Sequence, residues 1–210
     1  MPLRSGLGAE TLNGTVKTTI MTALEQYIER YFGVIAQSDR RNIQSLFDYR
    51  EIKKDEMILH SDRQCNYLNF VQSGYLRMFA YSKGNEITQW IASKGYFVTD
   101  LSSFMTSNTA KWNIQAVTDS ELYSISRENY EKLSEVVPKW KDFEKIFLIN
   151  CFSAMEQRIF SHLSMHSEER YLNFFETHKE LLNQIPLQNI ASMLGMTPET
   201  FSRIRKKLLK

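Results

Sequence analysis

The chain has 210 residues, 26 of them basic and 24 acidic, for a formal net charge of +2; 42% are hydrophobic and 24% charged. That balance excludes a disordered polyelectrolyte, and eight Gly and four Pro exclude collagen-like and Pro/Gly-rich repeats. No run approaches the roughly 18 apolar residues of a membrane span, and Cys65 and Cys151 are too few for a disulfide framework, a four-thiolate zinc site or an all-cysteine iron–sulfur cluster.

Residues 1–20 are polar, Gly-punctuated and aperiodic, and they lack the apolar region of a signal peptide. They read as a flexible leader or an expression remnant ahead of a cytoplasmic protein with free thiols. From Met21 the pattern turns helical, with Leu24, Tyr27, Ile28, Tyr31 and Phe32 at spacings of three and four. A second short helix is predicted after Ser38, its N-cap, with Ile43, Leu46 and Phe47 on one face.

The middle of the chain is strand-like. Tyr49–Ile52, Met57–His60, Tyr67–Gln72 and Tyr75–Tyr81 are short runs of aromatic and aliphatic residues, with Ser73-Gly74 predicted as a tight hairpin turn between the last two. Two more turn clusters, Ser82 to Asn85 and Ser93 to Gly95, precede strands at Glu86–Ile91 and Tyr96–Val98. Asn113–Val117 and Glu121–Ile125 complete the set. Short strands at this spacing, without long helices between them, predict a closed antiparallel roll.

Helix then returns, first at Glu128–Val136, ending near Pro138. Residues 139–163 follow as one long segment in which Trp140, Phe143, Phe147, Cys151, Ala154 and Arg158 recur at steps of three and four. Ile146, Ile149 and Phe152 widen that stripe beyond the needs of one packing face. This predicts a helix that meets its own domain on one side and a second copy on another; packing within a monomer is the competing reading. A helix at Glu168–His178 precedes the last pair.

The most informative segment is Leu187 to Leu208, LQNIASMLGMTPETFSRIRKKL. Two short helices crossing steeply need a small residue at the crossing and a glycine in the turn. Ala191 and Gly195 fill those places, while Ile190, Leu194, Met196, Phe201 and Ile204 supply an inward apolar set. Thr197 is the predicted N-cap of the second helix, Pro198 its first residue, and Glu199 suits the positive end of its dipole. The final ten residues carry Arg203, Arg205, Lys206, Lys207 and Lys210 with no acid. Glu199, Thr200, Ser202 and Arg203 would lie on the exposed side near the helix start, the part that enters a major groove; Arg bonds bidentately to guanine and Glu accepts from cytosine. Arg205, Lys206 and Lys207 suit phosphate neutralisation.

A helical lead-in, a β-roll, a long helix and this C-terminal pair resemble the Crp/Fnr family of bacterial transcription regulators over about residues 21–210. The run Glu199-Thr200-Phe201-Ser202-Arg203 resembles the Glu-x-x-Ser-Arg motif of its fumarate–nitrate regulator branch. The resemblance implies an α+β chain: an antiparallel β-roll of the cyclic-nucleotide-binding type (21–137 with its lead-in, the roll itself from about 38), a dimerisation helix (138–165) and a winged-helix/helix-turn-helix DNA-binding domain (166–210). It implies two partners, duplex DNA and a second copy of the chain, with RNA polymerase a further candidate and no membrane.

Cyclic-AMP-binding members cradle the phosphate with a Gly-Glu-Leu turn and, further on, an Arg-Ser pair. Gly95 and Leu101 fit that stretch, but the turn glycine is Thr99, the ribose-binding Glu is Asp100, and the Arg-Ser pair falls on Ala110 and Lys111. Lys is a point charge without the bidentate fork of Arg. The polar pair over the purine maps to Phe143 and Glu144. Together these departures argue against cyclic AMP, so no cofactor is assigned and no metal site is expected. A haem or redox sensor using one of the four His residues or Cys65 is a further reading. Signatures of an enzyme are missing: there is no Gly-rich phosphate loop, His-Glu-x-x-His or Gly-x-Ser-x-Gly, and no catalysis is expected. The main alternative is a regulatory module that binds a small molecule or a cyclic nucleotide and whose helix-turn-helix makes protein contacts.

Overall fold

The computed structural model describes Leu24, Ile28, Phe32 and residues 35–208. The predicted leader, and Tyr27 and Tyr31 of the first predicted helix, lie outside the described residues. Leu24, Ile28 and Phe32 are helical and buried, four residues apart as one face of a helix requires. Helix α1 (Gln37–Gln44) begins one residue before the predicted cap. Ala36 takes the N-cap without a side-chain hydrogen bond and Ser38 sits inside the first turn, so burial of Ile43 sets this helix rather than a hydroxyl.

Eight strands follow: β1 (Asp48–Ile52), β2 (Met57–Leu59), β3 (Tyr67–Ser73), β4 (Leu76–Ser82), β5 (Asn85–Ala92), β6 (Phe97–Val98), β7 (Asn113–Ala116) and β8 (Ser120–Ser126). They form two four-stranded sheets, ordered β1-β8-β3-β6 and β2-β7-β4-β5, with every pairing antiparallel. The predicted turn at Ser73-Gly74 is therefore not a hairpin: β3 and β4 belong to different sheets, and the dipeptide carries the chain between them. Gly74 has φ +82, and a Cβ there would overlap Ser120 Oγ and the Asp119 carbonyl. Its absent side chain serves a close approach, not a tight turn. The local hairpin lies one strand later, where Lys83 and Gly84, both at positive φ (50 and 79), make a two-residue loop of the type I′ kind between β4 and β5.

A short helix the sequence did not announce, α2 (Leu101–Thr106), interrupts the roll between β6 and β7. After β8 come α3 (Arg127–Val136), capped by Ser126 Oγ, the 25-residue α4 (Trp140–Ser164), α5 (Ser167–Thr177), α6 (Leu181–Gln184), α7 (Leu187–Met193) and α8 (Pro198–Leu208). Among the described residues no strand follows Ser126, and between α5 and α7 helix stands where a wing strand could lie. The connection from α5 to α7 buries Leu181 and Ile185 through one helical turn, which leaves no room for a β-ribbon.

Two cores result. The first fills the roll and its lid: Phe32 stacks on Phe147 of α4 at 4.9 Å, with Phe97 edge-on to both at 5.8 Å and Phe70 5.3 Å from Phe97. The second gathers Tyr171, Phe174, Ile190, Ala191 and Phe201 of the helical domain, and takes Ile91 of β5 and Val117 next to β7 from the roll. The helical domain thus packs on the second sheet through shared apolar burial. Ser192 of α7 reinforces the contact: its hydroxyl accepts from the Thr88 N–H at 2.9 Å, on the open edge of β5.

Candidate nucleic-acid interface and effector region

Helices α7 and α8 are joined by a turn, residues 194–197, whose geometry is over-determined. Gly195 has φ +66, and a Cβ on it would come within 3.1 Å of His162 Nδ1. The end of α7 leaves carbonyls without helical partners, and two guanidinium groups take them. Arg158 of α4 donates to Met193 O at 3.1 Å; Arg170 of α5 donates to Leu194 O at 2.9 Å and, with its other arm, to Met165 O at 2.7 Å. Arg158 also lies over the Trp90 ring of β5 at 5.7 Å. In the sequence Arg158 shows only as part of the long helix's stripe and Arg170 carries no signal; their function here needs partners 35 and 24 residues away.

On the second helix, Thr197 caps as expected, its hydroxyl accepting from the Thr200 N–H at 3.2 Å. Phe201 and Ile204 are buried, while Glu199, Ser202, Arg203 and Lys206 are exposed on the other side. The Glu199 carboxyl is held below the ordinary carboxylate range by the backbone N–H at its own position and by the Thr197 hydroxyl. Arg203 and Lys206 have no ion-pair partner among the described residues. Thr200 and Arg205 are half-buried, and Lys207 is paired with Glu168 of α5 at 2.9 Å. A surface pair of that kind exchanges readily.

Burial, followed by the positive charges of Arg158 and Arg170, lowers His162 from its ordinary value. In the unfolded chain this imidazole protonates near pH 6.5, and in the folded chain only at lower pH. Its contribution to stability is complete above about pH 6.5 and is lost as pH falls towards the folded-state value. Denaturation midpoints are expected to decline as pH falls below about 6.5, and to decline less in His162→Gln. An identical slope in the variant overturns this assignment.

The predicted effector residues are brought near one another but are largely turned to structural use. Asp100 is buried, and its carboxylate caps α2: Oδ1 accepts from the Ser103 N–H at 3.0 Å, and Oδ2 from the N–H groups of Lys111 and Trp112 at 2.8 and 3.2 Å. Thr99 Oγ1 donates to Tyr67 O at 2.9 Å and lies 3.1 Å from Cys65 Sγ. Gly95 is buried at φ +90, its N–H bonded to Val71 O at 2.9 Å. Leu101 and Ala110 pack with the core, and the exposed Lys111 sets its ammonium 5.7 Å from the Trp112 ring. Arg127, not singled out from the sequence, ties this region together by donating to Cys65 O at 2.6 Å and Ser103 O at 3.1 Å. Asp100 has no uncommitted oxygen directed at a ribose, and Ala110 carries no charge for a phosphate. These residues do not fit a cyclic nucleotide held in the manner the resemblance implies.

Phe143 is buried against the roll, and Glu144 lines a cavity of about 170 Å³ with Phe104, Arg127, Tyr130 and Trp140. Burial, then the neighbouring Glu144, raises the Tyr130 hydroxyl above its ordinary value.

The long helix divides differently from the assignment made on its stripe. Trp140, Phe143 and Phe147 are buried within their own chain, and Cys151 is half-buried against the same core, so they are not the surface a partner could meet. Ala154 lies exposed beyond them. The open apolar face is instead Ile149, Phe152, Met155, Ile159 and Leu163, each at least half exposed and Leu163 82% so. The widening residues Ile149 and Phe152 belong to that face, and they were its visible signal.

Among the described residues no helix is long and apolar enough to cross a membrane. Residues 49–136 match the family model of the cyclic nucleotide-binding domain. Comparison with curated proteins finds no significant match. Among solved structures, the chain is similar to a crp/fnr-family transcriptional regulator from Eubacterium rectale (20% identity, 83% of this chain and 84% of that one, TM-score 0.64). It is also similar to the c-di-GMP responsive global regulator CLP of Xanthomonas campestris (16% identity, 83% and 92% coverage, TM-score 0.63) and to the catabolite activator protein of Thermus thermophilus (23%, 85% and 86%, TM-score 0.53). At these identities the likeness is one of fold.

Proposed function

We propose that the chain is a sequence-specific DNA-binding transcription regulator that acts as a homodimer on an inverted repeat. The observation that carries the proposal is α8: a capped helix on a clamped turn, with Glu199, Ser202 and Arg203 exposed at its first turns and basic residues following. The open stripe of α4 supports dimerisation, since an exposed run of large apolar side chains on one helix face needs a cover. A dyad through that stripe would present two α8 helices to successive major grooves, roughly 34 Å apart. The fold it shares with known regulators supports the same reading. RNA polymerase is the further partner that such a regulator would engage.

The roll is a regulatory domain in this proposal, and cyclic AMP is not its effector. The committed oxygens of Asp100 and the uncharged Ala110 support that part. Selection from a random duplex library, with and without cyclic AMP, tests both: an inverted repeat is expected to be enriched equally in the two arms. Enrichment only with the nucleotide overturns the effector reading. Failure in both arms favours the alternative, a small-molecule-binding module whose paired helices contact protein.

On the selected site, Arg203→Ala is expected to cost about 1–3 kcal/mol per half-site and to relax preference at one base pair. Lys206→Ala should instead weaken all sequences alike and flatten the salt dependence of affinity. Titrations by fluorescence anisotropy against cognate and scrambled duplexes separate the two. Unchanged discrimination in Arg203→Ala sinks the base-reading role.

A further inference from the structure

A cleft of about 410 Å³ lies along the seam where the roll meets the helical domain, and none of the predicted effector residues lines it. One wall is the turn between β1 and β2, which carries Lys54 and Asp55; the other is Asn183, Ile185 and Asn189 of the helical domain. Neither wall forms a site alone.

The turn is rigid. Lys54 N donates to Asp119 Oδ1 at 2.8 Å, Asp55 N donates to Ala116 O at 2.8 Å, and Gln115 Nε2 donates to Asp55 O at 3.0 Å. Asp55 is held at φ 67, a conformation a non-glycine residue keeps where its surroundings enforce it. Two opposite charges, adjacent in sequence, are thus presented side by side, and neither has an ion-pair partner among the described residues. Surface charges alone would mean little. The second observation is Asn189: it is only 7% exposed, it lines the cleft, and its carboxamide makes no hydrogen bond among the described residues. Its amide is not among the buried polar atoms cut off from solvent, so it opens onto the cleft, where an occupant can satisfy it.

We propose that this seam binds a free α-amino acid. The Lys54 ammonium takes the α-carboxylate, the Asp55 carboxylate takes the α-ammonium, and the Asn189 carboxamide supplies the buried hydrogen bond that fixes orientation. Ile185 offers an apolar surface to the side chain. A nucleotide fits poorly, because Asp55 sits beside the single ammonium and repels a phosphate. A sugar lacks an aromatic platform to stack on, since no aromatic residue lines the cleft. Because the walls come from two domains, an occupant binds only while they are docked, and it stabilises that arrangement by mass action. The proposal is independent of DNA binding.

The test is thermal unfolding of the full chain with each standard L-amino acid at about 10 mM, followed by calorimetric titration of the best one. Its carboxamide analogue, lacking the carboxylate, and its des-amino analogue are titrated beside it. At least one amino acid is expected to raise the melting temperature by about 3–5 °C at tenfold excess over its Kd. Neither analogue should bind detectably, and Asp55→Asn, Lys54→Met and Asn189→Ala should each weaken binding tenfold or more. Asp55→Asn is the decisive variant, because Asn tolerates positive φ and keeps the turn intact. The inference is overturned by no shift with any amino acid, by equal binding of either analogue, or by full affinity in Asp55→Asn.

Discussion

Replacing Phe152 and Ile159 together with aspartate is expected to turn the proposed dimer into a monomer without unfolding it. The two side chains are 60% and 54% exposed in the single chain, so their own domain gains little from them. Since only about half of each is exposed, burying the rest against a partner contributes about 1–1.5 kcal/mol per side chain, and the pair occurs on both helices of a dyad. Their loss, with carboxylates facing carboxylates, removes on the order of 4 kcal/mol or more from association. Sedimentation at micromolar concentration should show a monomer with unchanged circular dichroism. Affinity for a full inverted repeat should fall about 10²–10⁴-fold, because the second half-site is no longer bound intramolecularly. Preference for the half-site sequence should survive. A variant that sediments as a dimer removes this face of α4 from the interface.

Asp100→Ala should produce the largest loss of stability. The carboxylate is 3% exposed and is the acceptor for three backbone N–H groups. Alanine leaves all three without a partner where water has little access, at about 1–3 kcal/mol each, and it strips the cap from α2. The expected loss is on the order of 3–5 kcal/mol, a large share of the 5–15 kcal/mol that holds a typical domain. Asp100→Asn keeps one acceptor for Ser103 but turns an amide N–H₂ on Lys111 and Trp112 or forces the ring of contacts to rearrange, so an intermediate loss follows. Urea midpoints measure both. If Asp100 served a ligand instead, alanine would leave the ligand-free fold almost unchanged, and a loss below about 1 kcal/mol overturns the structural role.

The same residue shows where reading the chain in one dimension stops. Aligned against a ribose-binding Glu, Asp100 is a weakened ligand; in the fold it is a cap whose acceptor sites are filled from α2 and from the approach to β7. Ser73-Gly74 makes the same point. Two apolar runs flanking a glycine look like a hairpin, and only the pairing of β3 with β8 and of β4 with β7 shows that they part company. Along α4, spacings of three and four placed the apolar residues on faces but could not say which face is inside. Phe32, stacked on Phe147, and Phe97, edge-on to it, decide that.

Features whose causes lie within a few residues were legible: the eight strand runs, the turn at Lys83-Gly84, the Thr197 cap, the glycine of the α7–α8 turn, and the exposed Arg203. Each depends on local dihedral preference, on side-chain period or on a hydrogen bond spanning one turn. The clamp of Arg158 and Arg170 on the end of α7, the seat of Ser192 on β5 and the cleft between Asp55 and Asn189 were not legible. They join residues up to 134 positions apart, and long-range proximity is created by burial of two cores, which carries no local periodicity. The sequence by itself determined the strands, the longer helices and the chemistry each one displays; the tertiary structure added the short helices and decided which of those groups are free to act and which are consumed in holding the fold.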